Sequence, residues 1–175
     1  MYSASADCTI SLWSIERKSI VKRLEGHKAT VKKITINENA PDIVITGARD
    51  GDIRVWDMRK SSNDFKMSKS DPCVRVLNDC HRKMEIKKRK RKSLTNANNG
   101  SSVTGLTFLK YSYTFASTGL PDQSIKIWDL RKLGKNLQNP INEIKEHEDI
   151  FANGLTDLAF NNHSNDLYAL SRKGE

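Results

Sequence analysis

Strand-forming residues run in short stretches along TVKKITIN at 30–37, DIVITGA at 42–48 and DIRVWDM at 52–58, with apolar and polar positions alternating at the start of the last. Such alternation places every second side chain on one face and predicts short β-strands. Turn residues separate the stretches: Ala40-Pro41-Asp42 within one boundary and Arg49-Asp50-Gly51 at the next. A fourth stretch, SIVKRLEGH at 19–27, is of the same kind and leads into a histidine. Further on, SVTGLTFL at 102–109 repeats the apolar pattern of the first stretch, and SIKIWDLRK at 124–132 closely repeats DIRVWDMRK at 52–60. An all-β chain is expected.

The repetition has a fixed register. Trp13, Trp56 and Trp128 each follow an aspartate by six residues, namely Asp7, Asp50 and Asp122. Four residues before each aspartate stands a hydroxyl side chain, Ser3, Thr46 or Thr118. A second landmark is the apolar pattern Val31, Ile34, Ile36, which recurs as Val103, Leu106, Phe108 and as Leu155, Leu158, Phe160. A histidine precedes each of these: His27, His81 and His147. From His27 to Val31 is 4 residues and from His81 to Val103 is 22, an excess of 18. The distances from His27 to Asp50 (23) and from His81 to Asp122 (41) differ by the same 18, so one insertion holds all the extra length.

Four strands in a unit of roughly 43 residues is the period of a β-propeller blade. Gly26-His27, a following Ser or Thr, an Asp and then Trp-Asp resemble the WD-repeat propellers in particular. That resemblance implies an all-β fragment of about three four-stranded blades. It also implies that His27, Thr46, Asp50 and Trp56 form a hydrogen-bonded chain tying strands together, as do His81, Thr118, Asp122 and Trp128. These residues are then structural, although a His-Asp pair elsewhere would suggest hydrolysis. The expected parts are 1–29, the end of one blade and the strand leading to the next; 30–81, a blade; 82–100, a basic insertion; 101–148, a blade; and 149–175, the start of an incomplete one. Closed propellers need ~4–8 blades, so the sequence reads as a fragment or truncated gene model whose native form has more.

Charge changes the picture only locally. The formal net charge is +9, but residues 82–92, RKMEIKKRKRK, hold eight basic residues and one acid and so carry +7, leaving +2 for the rest. KKRKRK, Lys87, Lys88, Arg89, Lys90, Arg91 and Lys92, is a pattern for nuclear import, which predicts a nuclear protein. Sequence-blind, salt-sensitive contact with DNA phosphates and plain solvated filler are the other readings of that run. No aromatic residue interleaves the basic ones, which argues against stacking on single strands. The start, MYSASADCTISLW, has no basic flank and no apolar core of a signal peptide, and an intracellular chain is expected. Three cysteines, Cys8, Cys73 and Cys80, without a C-x-x-C pair, argue against a disulfide framework and against zinc. No cofactor or metal is expected. Catalytic motifs such as G-x-S-x-G or a phosphate-cradling glycine loop are missing, so a non-catalytic chain is expected. Glu146, Glu148 and Asp149 around His147 read as an acidic rim, and His163 as solvated.

Two features bear on partners. Arg59 and Arg131 each stand three residues beyond a repeat tryptophan, on the face opposite the histidines. They serve either as docking groups or as solvated cations paired with an acid. The layout ITGARDGDIRVWDMR, lysine-rich insert, SVTGLTFL and SIKIWDLRK resembles denticleless-type substrate receptors over most of residues 40–135. That resemblance implies a substrate receptor of a cullin-four ubiquitin ligase acting on PCNA-bound cell-cycle and replication-licensing proteins. It carries the box that docks on the DDB adaptor over to Trp56, Asp57, Arg59, Trp128, Asp129 and Arg131. The rival expectation is a nuclear WD-repeat scaffold in ribosome assembly or RNA processing.

Overall fold

The computed structural model describes residues 1–60, 72–81, 101–110, 113–120, 122–133, 139–145 and 154–171. The basic run with Lys87–Lys92, the whole 82–100 insertion, and the His147 acidic segment lie outside the described residues. Among the described residues, thirteen strands follow one another in four antiparallel sheets. The first sheet is β1 (Tyr2–Ala4), β2 (Ile10–Ser14) and β3 (Ser19–Leu24). The second is β4 (Val31–Asn37), β5 (Ala40–Ala48), β6 (Ile53–Asp57) and β7 (Cys73–Leu77). The third repeats it as β8 (Val103–Phe108), β9 (Thr114–Gly119), β10 (Ile125–Asp129) and β11 (Asn142–Ile144), and the last is the pair β12 (Leu155–Asn161) and β13 (Asp166–Ser171). Each four-stranded sheet is a meander in chain order, the blade expected from the repeat.

The period-two pattern explains how the blades stack. Val44 pairs with Trp56 and Ile45 with Val55 across β5 and β6, so successive pairs point to opposite faces. Val44 and Trp56 face the first blade and close on Ile10, Leu24, Val31 and Ala48. Ile45 and Val55 face the third and meet Val103, Phe115 and Trp128. A third core joins Ala116 and Ile125 to Leu155 and Leu158 of the last sheet. Both faces of a middle blade are therefore apolar, which is why β5 carries the unbroken run Ile43-Val44-Ile45.

The first strands of successive blades, β4, β8 and β12, pack on one another along the inside. Lys33 of β4 reaches past β8 to Asp157 of β12, Nζ to Oδ2 at 2.6 Å. Close approach there needs Gly105, because a Cβ would stand 2.6 Å from Thr118 Oγ1 and 2.8 Å from the backbone nitrogen of Leu158.

Candidate functional site

At the β5–β6 turn, polar side chains form a directed chain. Trp56 Nε1–H donates to Thr46 Oγ1 at 2.9 Å, and the Thr46 hydroxyl donates to His27 Nε2 at 2.8 Å. His27 Nδ1–H in turn donates to Asp50 Oδ2 at 3.0 Å. Backbone N–H groups of Lys28 and Asp52 fill the remaining acceptor sites of Asp50. Every donor finds an acceptor if the ring carries its proton on Nδ1 alone, which is the condition for burying such a network. The chain ties the segment before β4 to strands β5 and β6.

In the third blade one member differs from the expected set. His81 Nε2 and Trp128 Nε1 both bond Ser117 Oγ, each at 2.8 Å, and His81 Nδ1 bonds Asp122 Oδ2 at 2.8 Å. Thr118 is not in the chain. Its hydroxyl lies 3.2 Å from that of Thr104, which donates to the Leu155 carbonyl of the next blade. Strand register gives the reason: Ser117 pairs with Lys126 as Thr46 pairs with Arg54. The turn from Ser117 to Asp122 is one residue longer than that from Thr46 to Asp50, so counting back from the aspartate lands on the wrong face. Ser117→Ala is expected to cost about 1–3 kcal/mol by orphaning a buried ring nitrogen and an indole N–H. Thr118→Ala should cost less; denaturant unfolding of the two variants reads the difference, and equal losses would contradict it.

Ser117, His81 and Asp122 stand in the order used by serine hydrolases. Here the serine is fully buried and its oxygen already accepts the Trp128 N–H, so no substrate carbonyl has an approach. Among the described residues no group of His, Cys, Asp and Glu gathers as metal ligands. In the first blade only the Trp13 to Ser3 bond, 2.7 Å, is present, while Asp7 caps Thr9.

Burial, the largest single influence, works to raise the carboxyls of Asp50 and Asp122, but it is outweighed by the combined hydrogen bonds and charges of His27 with the Lys28 and Asp52 N–H groups at one, and of His81 with Lys126 at the other, so both end below their ordinary value. A lowered folded-state value adds stability above the unfolded-state value and loses it as pH falls through the folded one. Asp52 runs the other way, raised by burial and then by the charge of Asp50. We expect stability to drop by on the order of 1–3 kcal/mol between pH 5 and 2. Urea titrations across that range should flatten in an Asp50→Asn, Asp122→Asn protein; an undiminished slope would assign acid lability to other groups.

At the other end of β6 and β10, about 17 Å away for a five-residue strand, the Trp-Asp-x-Arg segments make two matching turns. Asp57 Oδ1 accepts the Arg59 backbone N–H at 3.0 Å and Nε–H at 2.9 Å, while Oδ2 accepts Nη2–H at 2.9 Å. Asp129 holds Arg131 in the same three-bond grip at 2.9, 3.1 and 2.9 Å. The side-chain bonds from Arg59 and Arg131 are the main cause that holds both carboxyls below their usual range. Arg59 and Arg131 side chains are 67% and 64% exposed, whereas Asp57 and Asp129 are mostly covered. Trp56 and Trp128, carried over with the docking box, are 0% and 2% exposed and lie between blades. Strand alternation turns them inward, so only the arginines of the six can touch a partner.

Comparison with known proteins follows the same lines. The family described as WD domain, G-beta repeat, matches residues 18–57 and 89–129. The lethal(2)denticleless protein of Drosophila melanogaster is 33% identical over 136 residues, covering 74% of this chain and 18% of its own length. Denticleless protein homolog B of Xenopus laevis is 30% identical over 137 residues, covering 75% of this chain and 19% of its own length. Two WD40 repeats lie in this chain. A chain in the crystal structure of the mitotic checkpoint complex matches its fold with a TM-score of 0.65 at 18% identity, over 97% of this chain and 40% of that one. The WD40 chain thus spans about a fifth of the length of the curated relatives it matches.

The first WD40 repeat runs from the outer strand of one blade, β3, through β4, β5 and β6 of the next, and ends at Asp57. That repeat therefore bridges two blades. Side chains reinforce that bridge where the arginine turns lie. Lys22 on β3 donates to the Lys60 carbonyl at 3.4 Å, and Arg75 on β7 donates to the Leu133 carbonyl at 3.1 Å. Ser117, Asp42 and Tyr113 escaped the sequence reading. The first is betrayed by one extra turn residue; the other two join the WD40 rim only because the blade folds a hairpin beside it.

Proposed function

We propose that this WD40 chain is part of a non-catalytic substrate receptor that docks on the DDB adaptor of a cullin-four ubiquitin ligase. Likeness to Denticleless proteins over about three quarters of the chain supports the reading. The observation that carries it is the pair of identical Asp–Arg grips on neighbouring blades, facing solvent at one end of the sheets. An arginine whose fork is already oriented loses little freedom when a partner arrives, and Arg is enriched among the residues that dominate interfaces. Substrates are protein ligands, with PCNA-bound replication-licensing and cell-cycle proteins the class implied. The basic insertion directs nuclear import; sequence-blind contact with DNA is the alternative reading of the same run.

Purified adaptor tests the docking. We expect an Arg59→Ala, Arg131→Ala protein to bind it about tenfold or more weakly, with its folding checked by circular dichroism. Unchanged affinity would remove the adaptor assignment and turn attention to a nuclear scaffold in ribosome assembly or RNA processing. In cells, a fluorescent fusion with Lys87–Lys92 replaced by serine should leave the nucleus; continued nuclear signal would remove the import role.

A further inference from the structure

The inner strands share one irregularity at one place. Each has a bulge near its start, between Val31 and Lys33 of β4, Val103 and Gly105 of β8, and Leu155 and Asp157 of β12. Lys33, Gly105 and Asp157 are therefore equivalent positions of three consecutive blades: a cation, a residue without a side chain and an anion. Lys33 Nζ reaches Asp157 Oδ2 at 2.6 Å, past the blade between them. Five residues further along both strands the pairing is repeated, where Asn162 Nδ2–H donates to Glu38 Oε2 at 2.9 Å. Both pairs are 124 residues apart in the chain, so β4 and β12 keep one register on either side of β8.

The middle position has to be glycine for this reach. A Cβ at Gly105 would stand 2.8 Å from the Leu158 nitrogen and 2.9 Å from the Asp157 carbonyl carbon, so its absence lets β12 lie against β8. Thr104, inside the bulge, donates to the Leu155 carbonyl at 2.6 Å and seats the strand. Asp157 Oδ1 accepts the Leu158 N–H at 2.7 Å, which turns Oδ2 toward the ammonium. A single tie would leave the last sheet free to pivot about it. Two ties separated by five residues of strand, about 17 Å, fix direction as well as distance. The last sheet depends on such help, since β13 holds no buried residue and the core beneath it is Ala116, Ile125, Leu155 and Leu158.

We infer that Lys33 with Asp157, and Glu38 with Asn162, form a strap that couples the second blade to the fourth over the third, so that the three open and close as one unit. Repeat architectures ordinarily pass stability only between nearest neighbours. The strap adds a link between alternate blades. Its stronger tie is an ion pair whose two side chains are partly exposed, so salt weakens it. It acts at the inner edge of the sheets and does not involve the arginine turns.

Amide hydrogen exchange of the intact protein, followed in β12 at low and high salt, tests the strap, because exchange reports local opening. Lys33→Met keeps an apolar stem and removes the charge. It is expected to speed exchange at Leu158–Asn161, two blades away, about three- to fivefold at low salt and less than about twofold at high salt. Asp157→Asn keeps the oxygen that takes the Leu158 N–H and should give the same acceleration. The double variant should exchange no faster than either single one, the mark of two residues acting through one contact. Parental exchange of β12 in Lys33→Met, an effect that salt leaves untouched, or accelerations that multiply in the double variant would each overturn the strap.

Discussion

Replacing Trp56 by alanine is expected to cost about 3–5 kcal/mol, the range for a large aromatic side chain lost from a core. Trp56 is wholly buried and closes the core between the first and second blades with Ile10, Leu24 and Val44. Its indole N–H is also the first donor of the polar chain, 2.9 Å from Thr46 Oγ1, and its ring lies 6.4 Å from that of His27. Alanine leaves a cavity and removes the N–H that Thr46 Oγ1 accepts at once. Trp56→Phe separates the two: most of the volume stays and only the donor goes, at about 1–2 kcal/mol. With total stabilities of about 5–15 kcal/mol for a domain, the alanine protein should unfold at much lower denaturant. Far-ultraviolet circular dichroism during urea titration reads both; a loss below about 1 kcal/mol for the alanine variant would show that the tryptophan does not hold the blades together.

Gly119→Ala is the second large effect. An added Cβ would stand 2.3 Å from His81 Cβ and 2.5 Å from its Cγ. These atoms cannot swing aside as the tip of a long side chain does. The ring is held at both nitrogens, by Asp122 and by Ser117. Either the polar chain breaks or β9 shifts against the turn that carries His81. Overpacking of this kind costs about 1–3 kcal/mol, and breaking the buried chain adds about 1–3 more. Thr118→Ala, one residue away on the other face, is the control for local disturbance. Equal stability of Gly119→Ala and the parent would mean that the His81 ring has room to retreat.

Much of the architecture was open to a reader of the letters. Spacing of the tryptophans, aspartates and apolar triplets located blade units, because each repeat must rebuild the same four-stranded sheet with the same two buried faces. Arg59 and Arg131 were visible for the same reason. Thr118 shows where counting fails: spacing measured from Asp122 assumes a turn of constant length, while hydrogen bonding obeys the pairing of Ser117 with Lys126. The box tryptophans show a second limit. A motif groups residues by adjacency, but neighbours in a strand point opposite ways, so Trp56 is core while Arg59 is surface.

Local covalent order alone determined the strands, their period, the repeat and the Asp-x-Arg turns, since each depends on residues within a few positions of one another. Tertiary structure decided which hydroxyl completes the His81 chain, which side chains remain accessible, and that Asp42 sits by one arginine while Tyr113 sits by the other. Those outcomes depend on strand register and on hairpins meeting turns more than ten residues away. Contacts of that kind are set by how sheets pair and stack, and they leave no fixed spacing in the chain.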